Sequence, residues 1–183
     1  FLALQSEARE WQRIQSDTFD VYQALGPRVA PDGEVVALEM AGRQAHAVLR
    51  ERLDGQPYLV TWFYEEGEQG WKHVPPPAEV WGEPLEAAST AFDYTFNTAD
   101  QPLIDALMPA LDGWWEEACQ LTGCAGDEAP RPRVQIAHDP LATLGWAEDD
   151  PWTLTIPAPS LGRVPEDEGP LSAQLANDLT NLI

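Results

Sequence analysis

Between Val35 and Val74 the chain lays down four short apolar runs: Val35–Met40, Ala45–Leu53, Tyr58–Tyr64 and Trp71–Val74. Pro31-Asp32-Gly33, Ala41-Gly42, Asp54-Gly55 and the stretch Glu66–Gly70 punctuate them. Short runs parted by Gly- and Asp-bearing turns read as consecutive antiparallel strands, because those residues reach the backbone angles a tight reversal needs. In the second run Ala45, Ala47 and Leu49 alternate with Gln44, His46, Val48 and Arg50. In the third, Leu59, Thr61 and Phe63 share one face and Tyr58, Val60, Trp62 and Tyr64 the other. Both faces are apolar, so both must be covered. A helix packed inside a curved antiparallel sheet covers one, and a neighbouring unit the other. Pro75-Pro76-Pro77 ends the pattern, since proline has no N–H to give a central strand.

The covering helix is written before the sheet. Leu4, Ala8, Trp11, Ile14, Thr18, Tyr22 and Leu25 recur at three- and four-residue spacing, and Gly26-Pro27 closes the run. After Pro84 the order is strand, helix, strand, strand, helix. Phe92, Tyr94 and Phe96 alternate with polar or small neighbours, and from about Ala99 a stripe of Leu103, Ile104, Leu107, Leu111, Trp114, Trp115 and Ala118 follows. Pro109 lies inside that stripe and predicts a kink or break. Val134–Ala137 and Trp152–Ile156 read as short strands, and Leu171, Leu175, Leu179 and Leu182 restart a helix after Pro170. Residues 1–84 hold 14 acids against 7 bases, and residues 85–183 hold 17 against 3. This charge step and the Pro-rich exit place a boundary near Glu83-Pro84. The expectation is an α+β chain of two units, 1–84 and 85–183.

The net charge of −21 repels phosphate backbones and anionic lipid, so nucleic acid is excluded as a partner. No apolar run reaches the ~20 residues of a membrane span, leaving any anchor to lie outside this segment. Cys119 and Cys124 sit five apart, with Gly123 between them. Should the helix stop near Leu121 and Gly123 turn the chain, the two sulfurs meet as a disulfide, as an oxidising compartment allows; the alternative is two buried thiols. The short loop makes such a bond worth about 2 kcal/mol in the chain-entropy picture.

Motifs for chemistry are sparse. His46, His73 and His138 are isolated from one another, and His138-Asp139-Pro140 reads as an Asx-type turn before a loop. Glu148-Asp149-Asp150 and Glu166-Asp167-Glu168 lack the alternating ligand rhythm of a calcium loop and read as solvated loops. Neither a nucleophile elbow nor a phosphate-cradling glycine loop is present. No catalytic residue, metal or cofactor is assigned from these residues. Of eight tryptophans, Trp62 and Trp71 on neighbouring strands, together with Tyr64, are candidate walls of a ligand cavity.

Two resemblances rest on particular residues. Glu34 to Glu83, above all Y-L-V-T-W-F-Y-E-E-G-E-Q-G-W-K-H-V-P at 58–75, resembles the sheet of a SnoaL-like, nuclear-transport-factor-like cone. That family uses its cavity for isomerase, cyclase and plain binding roles, and no catalytic Asp/His pair carries over. Residues 90–183 are similar to the opening of gluzincin metallopeptidase domains of the peptidase-MA-like type, where strand–helix–strand–strand leads into a helix bearing H-E-x-x-H. Here that helix reads L-A-N-D-L-T-N-L-I, so Asn177, Asp178 and Asn181 stand where His, Glu and His would stand. Asn is a poor zinc ligand beside imidazole, and the resemblance implies a degenerate, non-catalytic relative.

The chain opens on Phe1 and closes in mid-pattern on Leu182-Ile183, which reads as a segment of a longer protein. The expected function is a non-catalytic extracytoplasmic binding, interaction or sensor module, secreted or membrane-anchored. Its partner would be a protein or a small apolar ligand. The alternative is a metallopeptidase-like hydrolase or cone-type isomerase whose remaining site lies outside the segment.

Overall fold

A computed structural model of the chain describes residues 9–16, 29–123 and 130–183, and the backbone alone for residues 29–33. The fold is α+β. In chain order the elements are α1 (9–16), β1 (Val29–Ala41), β2 (Gln44–Leu53), β3 (Gln56–Gly67), β4 (Gly70–Val74), β5 (Pro84–Ala88), β6 (Asp93–Asn97), α2 (Gln101–Thr122), β7 (Arg133–Ala137), β8 (Gly145–Trp146), β9 (Thr153–Pro157), β10 (Arg163–Pro165) and α3 (Ala173–Thr180). Of the helix expected over 2–25, residues 9–16 are helical and the rest fall outside the described residues.

The chain divides into two compact units, Phe1–Val80 with Pro159–Asp167, and Trp81–Ala158 with Glu168–Ile183. The crossing point is thus Val80–Trp81 rather than Glu83-Pro84. A single cut does not describe the division either, because Pro159–Asp167, expected in the second unit, belongs to the first. The reason is a three-residue strand with no alternation of its own to announce it. β10 pairs antiparallel with β3, Arg163 opposite Val60 and Pro165 opposite Tyr58.

In the first unit β1, β2, β3 and β10 lie side by side in that order, with β4 also on β3. All pairings are antiparallel. β3 is the spine: β2 runs along one edge, while the other edge is shared by β10 at Tyr58–Val60 and β4 at Phe63–Gly67. The β2–β3 turn is Asp54-Gly55, both with positive φ (51° and 83°). Gly takes that conformation freely and Asp tolerates it, which suits the twist of a two-residue hairpin. Two ion pairs fasten β10 and the residue after it. Arg163 Nε lies 2.9 Å from Glu51 Oε2, and Arg50 grips both oxygens of Glu166. The Arg50 guanidinium holds the Glu166 carboxyl below the usual carboxylate range.

In the second unit the strand order is β5-β6-β7-β9-β8, with β6, β7 and β9 parallel and the two outer strands antiparallel. α2 makes the crossover between parallel β6 and β7, as such a connection requires. Its stripe supplies Leu103, Ile104, Leu107 and Leu111, all buried, to a core with Phe92, Tyr94, Phe96, Val134, Ile136, Leu154 and Ile156. Pro109 does not break α2, which is continuous from Gln101 to Thr122. β5 and β8 were not apparent in the sequence: Leu85 and Ala87 alternate only weakly, and β8 has two residues.

Candidate functional site

The aromatic residues of the sheet gather around a histidine. Trp62 and Tyr64 share one face of β3, with ring centroids 6.4 Å apart. Register places His73 of β4 directly beside Tyr64. The His73 ring stacks on Trp62 at 5.1 Å, and α1 sets Trp11 edge-on against it, also at 5.1 Å. Trp11 Nε1 donates to the His73 carbonyl at 3.2 Å. Trp71, the third expected cavity wall, pairs with Glu66 and is 37% exposed. Neither cavity described below is lined by Trp62, Tyr64 or Trp71.

Burial among these rings lowers the His73 pKa to about 4. Its folded-state value therefore lies below the unfolded value near ~6.5. Between these values the unfolded chain binds more protons, so stability is complete above pH ~6.5 and falls as pH drops towards 4. With solvent screening the loss is expected to be about 2 kcal/mol. His73→Phe is expected to flatten the denaturation midpoint between pH 6.5 and 4.5 relative to the parent; parallel curves would refute the assignment.

The opposite face of β3 carries Phe63, which register places beside His46 of β2. The chain leaving β4 covers this side: Pro77 and Val80 close a cavity of about 120 Å³ whose other walls include Glu39, Met40, His46 and Phe63. Around Phe63, Pro77 and Val80 of the same unit supply part of the covering of this face. Glu39 Oε2 sits 3.5 Å from His46 Nε2, with the Glu39 side chain 75% exposed. β1 borders this cavity and is the first strand of its sheet. Among the described residues its outer edge pairs with no strand. Val35, Val36, Leu38 and Met40 are 54%, 43%, 58% and 62% exposed. Register breaks at Pro31/Glu34 and Val35/Ala37 and then runs unbroken from Ala37 to Ala41.

In the second unit sequence reasoning missed a pair. His138 directly follows β7, and Asp100 precedes α2 just beyond the end of β6. His138 Nε2 lies 3.0 Å from Asp100 Oδ2, an oxygen that also accepts the Asn97 amide at 2.9 Å. Trp81 stacks on the imidazole at 4.3 Å. The sequence neighbour Asp139 instead accepts the Leu141 amide at 2.8 Å, the Asx-type turn expected there. A partner 38 residues away leaves no local signal. A second cavity, of about 510 Å³, opens beside Glu86, Asp93, Thr95 and Arg133.

The degenerate motif positions lie on α3 and its end. Asn177 and Asn181 are exposed, and the Asn181 amide donates to the Asn177 carbonyl at 2.9 Å. Asp178 accepts from Gln174 at 2.8 Å. Among the described residues no three His, Cys, Asp or Glu side chains converge on a common point. α2 ends at Thr122, and Gly123, with φ 73°, donates its N–H to the Cys119 carbonyl. Cys119 is not a free thiol. Cys124, its expected partner, lies outside the described residues. Among the described residues no helix is long and apolar enough to cross a membrane.

Comparison of the chain with protein-family models, with curated proteins and with solved structures returns no match.

Proposed function

We propose that the chain is a non-catalytic interaction module working outside the cytoplasm, and that it engages a protein partner through the edge of β1. One observation carries the reading: an edge strand exposing four large aliphatic side chains within six residues, Val35 to Met40. An unpaired strand recruits another, and proteins blunt such edges with charge, proline and bulges; in β1, Pro31, Glu34 and both register breaks precede Ala37, which leaves Ala37–Ala41 regular with Glu39 as its one charge. Edge addition gains main-chain hydrogen bonds from any extended segment and takes specificity from side-chain pockets. The cone-like reading of the sheet and the non-catalytic reading of α3 agree with this role.

The test is hydrogen exchange of the 183-residue chain with and without an alternating Val/Thr nonapeptide. Amides in Ala37–Ala41 are expected to slow at least tenfold while those of Leu103–Leu111 do not change. No slowing at β1 overturns the reading. The extracytoplasmic part is tested separately, by mass spectrometry after alkylation: both cysteines labelled without reductant would count against it.

The His138–Asp100 pair favours a second reading, the hydrolase alternative, since a carboxylate-oriented imidazole at the carboxyl ends of parallel strands is suited to proton transfer. Stoichiometric zinc found by elemental analysis of the full-length protein would favour that alternative over the interaction module.

A further inference from the structure

Resting on the edge-binding reading, we infer that the partner strand carries a lysine or arginine, seated in the cavity between β1, β2 and the segment after β4. The cavity and the regular part of the edge adjoin: Glu39, Met40 and Ala41 belong to both. A strand added along Ala37–Ala41 therefore runs past the cavity mouth, and one of its side chains has the cavity within reach.

The walls select the side chain. Met40, Phe63, Pro77 and Val80 are apolar, and Glu39 is the acid among the lining residues. About 120 Å³ holds several water-sized groups, at roughly 10–15 Å³ each, which suits a chain of methylenes ending in a small polar head. A wholly apolar side chain would fill the walls but gain nothing from the Glu39 carboxylate, which is 75% exposed and has His46 Nε2 3.5 Å away. A long basic side chain lays its methylene stem on the apolar walls and brings its cation to the carboxylate. The nearby cation of this chain, Arg43, is directed elsewhere, donating through Nε to the Glu66 carbonyl at 2.9 Å.

A second copy of the chain does not fit. β1 contains Asp32, Glu34 and Glu39 and no Lys or Arg, so pairing two β1 strands would set acid beside acid and offer the cavity no cation. The net charge of −21 opposes self-association further. A basic extended segment of a different polypeptide meets both the edge and the acid at its side.

The test uses five fluorescein-labelled nonapeptides of alternating Val and Thr with an uncharged solubilising tail, alike except for a central Arg, Lys, citrulline, norleucine or Glu. Binding to the 183-residue chain is read by fluorescence anisotropy. Arg and Lys are expected to bind at least tenfold more tightly than citrulline and norleucine, with Glu weakest. Glu39→Gln is expected to shrink the Arg-to-citrulline ratio to within about threefold. N-methylation of alternate amides in the Arg peptide is expected to abolish binding. Equal affinity across the set, with N-methylation still abolishing it, overturns the basic anchor and leaves the edge reading standing. An Arg preference unchanged by Glu39→Gln also overturns the anchor. No binding by any peptide overturns the edge reading and the anchor with it.

Discussion

Asp112→Ala is expected to lower the stability of the second unit by about 3 kcal/mol, read as a fall in the urea midpoint followed by tryptophan fluorescence. Asp112 lies in the middle of α2, and its carboxylate fixes the turn between β5 and β6. Oδ1 accepts the Ser89 hydroxyl at 2.6 Å and the Ala91 amide at 3.0 Å; Oδ2 accepts the Thr90 amide at 3.0 Å. Hydrogen bonds to an ionised acceptor are worth about 1.5–3 kcal/mol each, and removing their common acceptor strands several donors at once. The backbone adds its own bond here, Ser89 N to the Phe92 carbonyl, so the turn loosens rather than vanishes. Asp112→Asn keeps an acceptor oxygen and is expected to cost roughly half as much. Acid titration is an independent check. Burial alone would raise the Asp112 carboxyl, but the Ser89 hydroxyl and the Thr90 and Ala91 amides outweigh it and hold it below the ordinary value. A depressed carboxylate contributes fully above its unfolded pKa near ~3.9 and loses that contribution as pH falls through its folded value. The Ala variant should therefore have a shallower decline than the parent below pH ~4.

Much of the architecture was legible because it depends on nearest neighbours along the chain. Asp54-Gly55 specifies its hairpin by the backbone angles those residues reach, and the Leu103–Leu111 stripe specifies the buried side of α2 by spacing alone. The Gly123 turn was legible for the same reason. What escaped depends on where distant segments land. β10 reads as a loop until it is laid beside β3, and His138 reads as an isolated histidine until Asp100 is brought to it across 38 residues. Of the kink or break that Pro109 predicts, the break does not occur: Leu103, Ile104, Leu107 and Leu111 bury one continuous face through it. Burial of side chains worth about 1.5–3 kcal/mol each offsets the roughly 3 kcal/mol that an interior proline costs. The candidate binding edge was only half visible. Val35 to Met40 was recognisable as a strand, but its exposure follows from strand order, which the sequence does not print.

Glu51→Ala is expected to destabilise the first unit by about 3–4 kcal/mol, the range for breaking a buried ion pair from one side. Glu51 faces inward from β2 and is 6% exposed, and its Oε2 receives Arg163 Nε at 2.9 Å. The truncation leaves a largely buried guanidinium without its carboxylate, which costs far more than the pair itself contributes. The same step weakens the return of the chain to β3, because Arg163 is the first residue of β10. Limited proteolysis is therefore expected to cut Glu51→Ala between Pro159 and Asp167 well before the parent. The decisive comparison is Glu51→Leu combined with Arg163→Met, which replaces both charges by apolar side chains of similar size. If the loss in Glu51→Ala comes from breaking the pair on one side, the double variant should lie within about 1 kcal/mol of the parent. A double variant as unstable as the single one would show instead that the ion pair itself, rather than the burial of side chains at β2 and β10, holds the returning segment to its sheet. The second ion pair, Arg50 with Glu166, is more exposed and bears on that choice: Glu166→Gln is expected to shift the midpoint by less than about 1 kcal/mol. On that ordering the one-sided break at Glu51, 112 positions from Arg163 in sequence, loosens the return of the chain to β3 far more than loss of the more exposed pair does.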